Sequence, residues 1–120
     1  MKMRSGLTSG MQMTTLNICG RPLCVEIARN TDEQAQGLKY RHELPADAGM
    51  LFEFGYPRRV GFHMTDTALP LDVGFITTDG ILREVRVLQP FSSEIVNSFR
   101  DDIQYALEVN QGWFSAFCGV

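Results

Sequence analysis

The apolar residues of this chain recur mainly at every second position, in short runs cut by Gly, Pro, Asp and Ser, and that period predicts strands. Residues 49–54, GMLFEF, place Met50, Phe52 and Phe54 on one face and turn Glu53 to the other. LDVGFIT and ILREVRVL flank TDG, in which Asp79 and Gly80 readily take the positive φ angles of a tight hairpin turn. Residues 16–28 read as another hairpin, folded over CGRP by Gly20 and Pro22. In QYALEV, Tyr105, Leu107 and Val109 share a face and Glu108 opposes them; VGFHM likewise sets Phe62 and Met64 against His63.

Helical signals are brief. TDEQAQGLKYR opens with Thr31 as N-cap and Gln34 at the capping-box spacing, and Asp32 and Glu33 sit where carboxylates suit the helix dipole. Ala35 and Leu38 are expected to face the core, and Gly37 within the helix points to close packing against a neighbour. GWFSAFCGV predicts a second short helix ending at Gly119. Residues 89–103 form a long polar connection, with a helical turn expected to begin at Ser92 or Ser93. Residues 1–13 are polar and aperiodic and read as a mobile tail, leaving 14–120 as one β-rich domain. Short strands, tight turns and one or two short helices predict a mainly β, single-domain antiparallel β-sandwich or flattened barrel; the crossover helices of a parallel sheet are not evident.

Composition narrows the function classes. A chain of 120 residues is one domain by size, and folding buries about two thirds of its surface, enough for a core without metal or disulfide support. The net charge is −3 and the basic residues are scattered, the densest being Arg58 and Arg59, so the field that attracts nucleic-acid phosphates is missing. No apolar run is long enough to span a bilayer, and the basic residues of MKMRSGLTSGMQM have no hydrophobic segment behind them, so neither a membrane nor an export signal is expected and the reading is cytoplasmic. Cys19, Cys24 and Cys118 are odd in number and match no zinc pattern. A Cys19–Cys24 bridge across the hairpin turn is conceivable, but free cysteine is commonly a small buried apolar residue, and Cys118 beside Trp113, Phe114 and Phe117 suits inert burial.

Candidate chemistry gathers where polar residues oppose apolar faces or end strands: His63, Asp66, Asp72 and Glu108, with Arg41 after the helix. Carboxylates near a histidine can divide acid and base work when their surroundings push the pKa values apart. A structural role competes for each. Asp66 in TDT can accept backbone N–H bonds as an Asx turn does, helped by the Thr67 hydroxyl, and Asp72 can pin its loop or pair with Arg41 through a bidentate contact. No nucleophile elbow, dinucleotide fingerprint or phosphate loop occurs, and no metal or other cofactor is expected. Met50 and Met64 with the phenylalanines can line an apolar pocket, although a core stripe is the commoner use of such a pattern.

QGLKYRHELPADAGMLFEF, GFHMTDTALPLDVGFITTDGIL and YALEVNQGW are similar, in order and spacing, to the prokaryotic family called domain of unknown function 192. The resemblance rests on Gly37, Leu38 and Arg41; Gly49 to Phe52; Met64, Thr67, Pro70, Leu71 and Asp72; and Leu107, Glu108 and Gly112. It implies a compact β-sandwich-like fold and no established activity, in a family whose other members are often exported. The chain departs from the family pattern at His63, where a tryptophan is usual, and at Thr65 and Asp66, where Lys-Asn is usual. The family also tends to continue beyond Val120 with a further strand, so an unpaired edge at the C-terminus is expected to favour self-association. The expected function is a ligand- or partner-binding accessory module, for an unidentified small molecule or protein, with a polar loop site around residues 62–72. Its ligand-binding set is His63, Met64, Asp66, Thr67, Asp72, Glu108 and Arg41. The alternative is a hydrolase using His63 with Asp72 or Glu108 as acid and base.

Overall fold

The computed structural model describes residues 11–120. Among these residues eight strands and two short helices follow in the order β1 (Gln12–Ile18), β2 (Arg21–Ala28), α1 (Thr31–Gln36), β3 (Ala48–Arg58), β4 (Gly61–Phe62), β5 (Leu71–Thr77), β6 (Leu82–Leu88), β7 (Val96–Asn97), β8 (Ile103–Asn110) and α2 (Trp113–Cys118). Six strands form one sheet in the order β1-β2-β3-β8-β5-β6, and β4 pairs with β7 in a small second sheet. The mainly β single-domain fold with two short helices stands. The large sheet is open, and it is mixed: β2 and β3 run parallel, because the chain returns over one face through α1 before entering β3. All other neighbours are antiparallel.

Alternation along the strands builds two cores, one on each face of the sheet. Met50, Phe52, Val73, Phe75 and Ala106 belong to one, completed by Leu38, Met64, Leu69 and the partly buried Phe62 from the segments that cross above it. Val25, Leu51, Leu107 and Val109 belong to the other, which α2 covers with Trp113 and Phe114. Every residue of β5 is buried, as expected of an interior strand covered on both faces.

Turn chemistry explains the hairpins. Cys19 and Gly20 both take positive φ angles, 54° and 79°, the two-residue geometry that matches the strand twist between β1 and β2. In the β5–β6 turn only Gly80 does so, at 83°; Asp79 acts through its side chain, whose Oδ1 accepts from the Thr77 hydroxyl at 2.5 Å and the Ile81 N–H at 3.3 Å.

Several local expectations change. The cap of α1 is Asn30, not Thr31: its Oδ1 accepts from the Glu33 N–H at 2.8 Å, and the Glu33 carboxylate reaches back to the Asn30 N–H. Gly37 lies past the helix as its C-cap, with φ of 50°, so glycine is needed there for its backbone angle. Leu38 is buried as expected, but Ala35 is exposed. Residues 89–103 carry the strand β7 and no helical turn. Residues 1–10 of the expected tail lie outside the described residues, while Gln12 and Met13 pair with Ile27 and Glu26 in β1.

The cysteines also pair differently. Cys19 bonds to Cys118 across 99 residues of sequence, tying the β1–β2 turn to the end of α2, and Cys24 is free and exposed. The last strand, β8, lies in the interior of the sheet between β3 and β5, so among the described residues the sheet edges belong to β1 and β6 and not to the C-terminal strand.

Candidate functional site

A cavity of about 350 Å³ opens on the face of the sheet that carries Phe52 and Phe54. Three segments wall it: residues 34–39 from α1 and its C-cap, the end of β3 with Phe54 and Arg58, and residues 59–64 with Phe62, His63 and Met64. Glu108 of β8 lies at its base.

Local hydrogen bonds set these walls. The Gln34 side chain donates to the carbonyls of Ala28 and Glu53, at 3.1 and 2.9 Å, and so fastens α1 over β2 and β3. Beyond the Gly37 cap, the Tyr40 N–H donates to the Asp66 carbonyl at 3.0 Å and the Tyr40 hydroxyl to Asp66 Oδ2 at 3.1 Å, joining the helix segment to the 63–67 loop. That loop closes on itself through the Thr67 N–H and the Met64 carbonyl, and is held from above by the Met64 N–H donating to Ser92 O and the Phe91 N–H donating to Thr67 O. Met64 and Thr67 are buried as a result.

Glu108 is the unusual group. In register it sits between Met50 of β3 and Val73 of β5, and directly opposed residues of neighbouring strands point the same way, so its side chain enters the apolar layer of Met50, Phe52 and Phe75. It is 4% exposed, and among the described residues no side chain or backbone group forms a hydrogen bond with its carboxyl. Burial without a donor disfavours the charged form and raises the group from its usual 4.5 to about 8. At neutral pH the group is therefore mainly protonated and can donate a hydrogen bond; near pH 8 it exchanges a proton readily.

The rest of the predicted set divides. His63, Met64, Thr67 and Glu108 line this cavity, with His63 exposed and its Nδ1 accepting from the Thr65 N–H at 3.3 Å. Asp66 does not line it and accepts from Tyr40 instead of from its own loop's N–H groups. Arg41 forms a bidentate pair with Glu26, at 2.5 and 2.8 Å, and not with Asp72.

Asp72 points to the opposite face of the sheet, because its register partner is Val109, one residue away from Glu108. Its Oδ2 accepts the Gly112 N–H at 2.8 Å, which pins the entrance of α2 to β5, and its Oδ1 is buried without a partner among the described residues. It borders a separate hollow beside β6 and α2. His63 and Asp72 therefore do not form an acid–base pair.

Sequence reasoning missed the cations at the cavity. Lys39, Arg58 and Arg59 all line it, and among the described residues none of them has a carboxylate within ion-pair distance. Arg58 lies over the rings of Phe54 and Tyr56, 4.9 and 5.3 Å from their centroids, and Arg59 donates to the Phe99 carbonyl at 2.8 Å. The Arg58-Arg59 doublet was visible in the sequence, but nothing local joined it to Glu108. Among the described residues there is no cluster of three His, Cys, Asp or Glu side chains suited to a metal ion, and no helix is long and apolar enough to cross a membrane.

Fold and cavity together define a small mainly β domain with a solvent-open cavity built against a buried carboxyl. The chain belongs to the domain of unknown function 192 family, described as an uncharacterized ACR, whose model matches residues 14–118. Two solved structures share the fold. A candidate transcription regulator from Sinorhizobium meliloti 1021 is 38% identical, with 90% of this chain and 84% of that one covered and a TM-score of 0.79. A protein of unknown function from Novosphingobium aromaticivorans DSM 12444 is 28% identical, with 92% and 81% covered and a TM-score of 0.81. No curated protein matches the chain.

Proposed function

We propose that this protein is a small-molecule-binding domain and that its ligand occupies the Glu108 cavity. The observation that carries this reading is the carboxyl itself. Burial favours the neutral form of Glu108, no protein group among the described residues bonds its carboxyl, and a ligand in the cavity can offer it a hydrogen bond. The volume, about 350 Å³, and the mixture of aromatic walls with a few polar groups are those of a small-ligand site. The 62–72 loop contributes through Met64, Thr67 and the rim residue His63. A ligand-sensing domain also accords with the regulator description carried by the Sinorhizobium relative, without any need for this chain to contact nucleic acid.

A thermal-shift screen of small organic molecules tests the reading, since a ligand that binds only the folded state raises the midpoint. Hits are expected to lose their effect in Ala35→Phe, which fills the cavity from its exposed helix wall, and to weaken in Glu108→Gln. Hits that act equally on both variants would place binding elsewhere and remove the cavity from consideration.

A hydrolase using Glu108 with His63 is the second reading, favoured by the one observation that both line the same cavity. It requires ester or amide turnover that disappears in His63→Gln; binding that survives this substitution, with no turnover in the wild type, leaves the binding reading alone. The Cys19–Cys118 bridge supports an oxidising compartment, the exported setting that the family resemblance implies, over a cytoplasmic one.

A further inference from the structure

The charges around the cavity go further than its shape. Nine arginine and lysine residues lie among the described residues: Arg21, Arg29, Lys39, Arg41, Arg58, Arg59, Arg83, Arg86 and Arg100. Five are matched to a carboxylate, Arg21 with Asp47, Arg29 with Glu53, Arg41 with Glu26, Arg83 with Asp79 and Arg100 with Asp102. Of the four without such a partner, Lys39, Arg58 and Arg59 line one cavity, and only Arg86 is elsewhere, over the Phe99 ring. A chain with net charge −3 has acidic groups to spare, yet no carboxylate pairs with these three. Lys39 and Arg58 are half-buried and Arg59 is exposed, whereas Glu108, on the same cavity, is 4% exposed.

We propose that the ligand of this cavity is a small organic anion, a carboxylate on an apolar body. Its acid group meets Lys39, Arg58 and Arg59, and its body packs against Phe54 and Phe62 toward Glu108. This rests on the small-molecule reading of the cavity and names the ligand's chemistry. An amine is the opposite choice, and two terms disfavour it. It would pass three unmatched cations, and it would gain an ion pair only by ionising a carboxyl that burial holds protonated at neutral pH. An anion meets the cations directly and leaves Glu108 neutral, as a donor to a carbonyl or hydroxyl on the ligand's far end.

The test compares phenylacetate, phenylacetamide and phenethylamine, three probes that share one apolar body and differ in charge, by calorimetric titration of the wild type. Phenylacetate is expected to bind about tenfold more tightly than the amide at low salt, and the margin is expected to shrink to about threefold or less near 0.5 M NaCl. The triple variant Lys39→Gln, Arg58→Gln, Arg59→Gln removes the margin and leaves amide binding in place, while Arg86→Gln, which removes the same kind of charge outside the cavity, keeps it. Amine binding equal to or tighter than phenylacetate, equal binding of acid and amide, or a margin that survives the triple variant each overturns the assignment. If amide or amine binds in competition with Ala35→Phe-sensitive ligands, the cavity reading stands and only the charge assignment fails; if none of the three binds and the wider screen is empty, both fail together.

Discussion

Glu108 carries a pH signature that belongs to a single side chain. Its pKa is raised in the folded state, to about 8 from 4.5, so between those values the folded protein holds a proton that the unfolded chain has released. Stability must then fall as pH rises through that window, and the carboxyl contributes most favourably below the unfolded value. Thermal unfolding followed from pH 5 to 8 is expected to show the wild type losing about 1 kcal/mol per pH unit relative to Glu108→Gln, the gap levelling off above pH 8. A gap that is independent of pH would mean that the carboxyl is already ionised or hydrogen-bonded. The sequence told that Glu108 opposes Leu107 and Val109, which is correct, but a residue opposite an apolar face is normally in solvent. Here the second face is also covered, by Leu38, Phe62, Met64 and Leu69 from much earlier in the chain, and that is why the period of two could mark the position without marking its burial. Asp72 shows the same limit from the other side: its buried state and its bond to Gly112 depend on α2, which closes over β5 from 40 residues further on.

At the scale of elements, β5 is the strand on which both layers rest, and Gly74 lies directly under Phe114 of α2. A Cβ added there would lie 2.6 Å from the Phe114 ring and 2.7 Å from Leu82, closer than packed atoms tolerate. Gly74→Ala is expected to destabilise the domain by about 1–3 kcal/mol in urea unfolding, through displacement of α2. An unchanged midpoint would show that α2 moves aside freely and does not seal that face. The strands β3, β5, β6 and β8 and the helix α2 were all readable from alternation, turn residues and the Gly119 stop, because these are local properties of backbone and solvent exposure. The α1 cap was displaced by one residue because both Asn30 and Thr31 are good cap residues; Asn30 prevails with Glu33 as its reciprocal partner. The two-residue β7 has no pattern long enough to register and exists only because it meets β4, which the alternation of VGFHM did mark.

For the whole molecule, the Cys19–Cys118 bond encloses nearly the entire described chain. Closing a loop of that length removes unfolded-state entropy worth about 5 kcal/mol in the chain-entropy account, so Cys19→Ser is expected to lower the unfolding free energy by about that amount, and wild-type protein under reducing conditions should match it. Thiol titration of the native protein without reductant is expected to find one reactive group, Cys24; three would show that the bridge does not form. The sequence by itself determined where the longer strands run, which of their faces are apolar, where the hairpins turn and that one small domain results, because these follow from side-chain period, turn conformations and chain length. Only the tertiary structure decided that Glu108 shares a cavity with three cations, that Asp72 stands on the other face, that Arg41 belongs to Glu26 and that Cys118 finds Cys19. Each of these is a meeting of residues far apart in the chain. Alternation fixes a side chain's direction relative to its own strand, whereas strand order and the segments packed above the sheet decide what it faces.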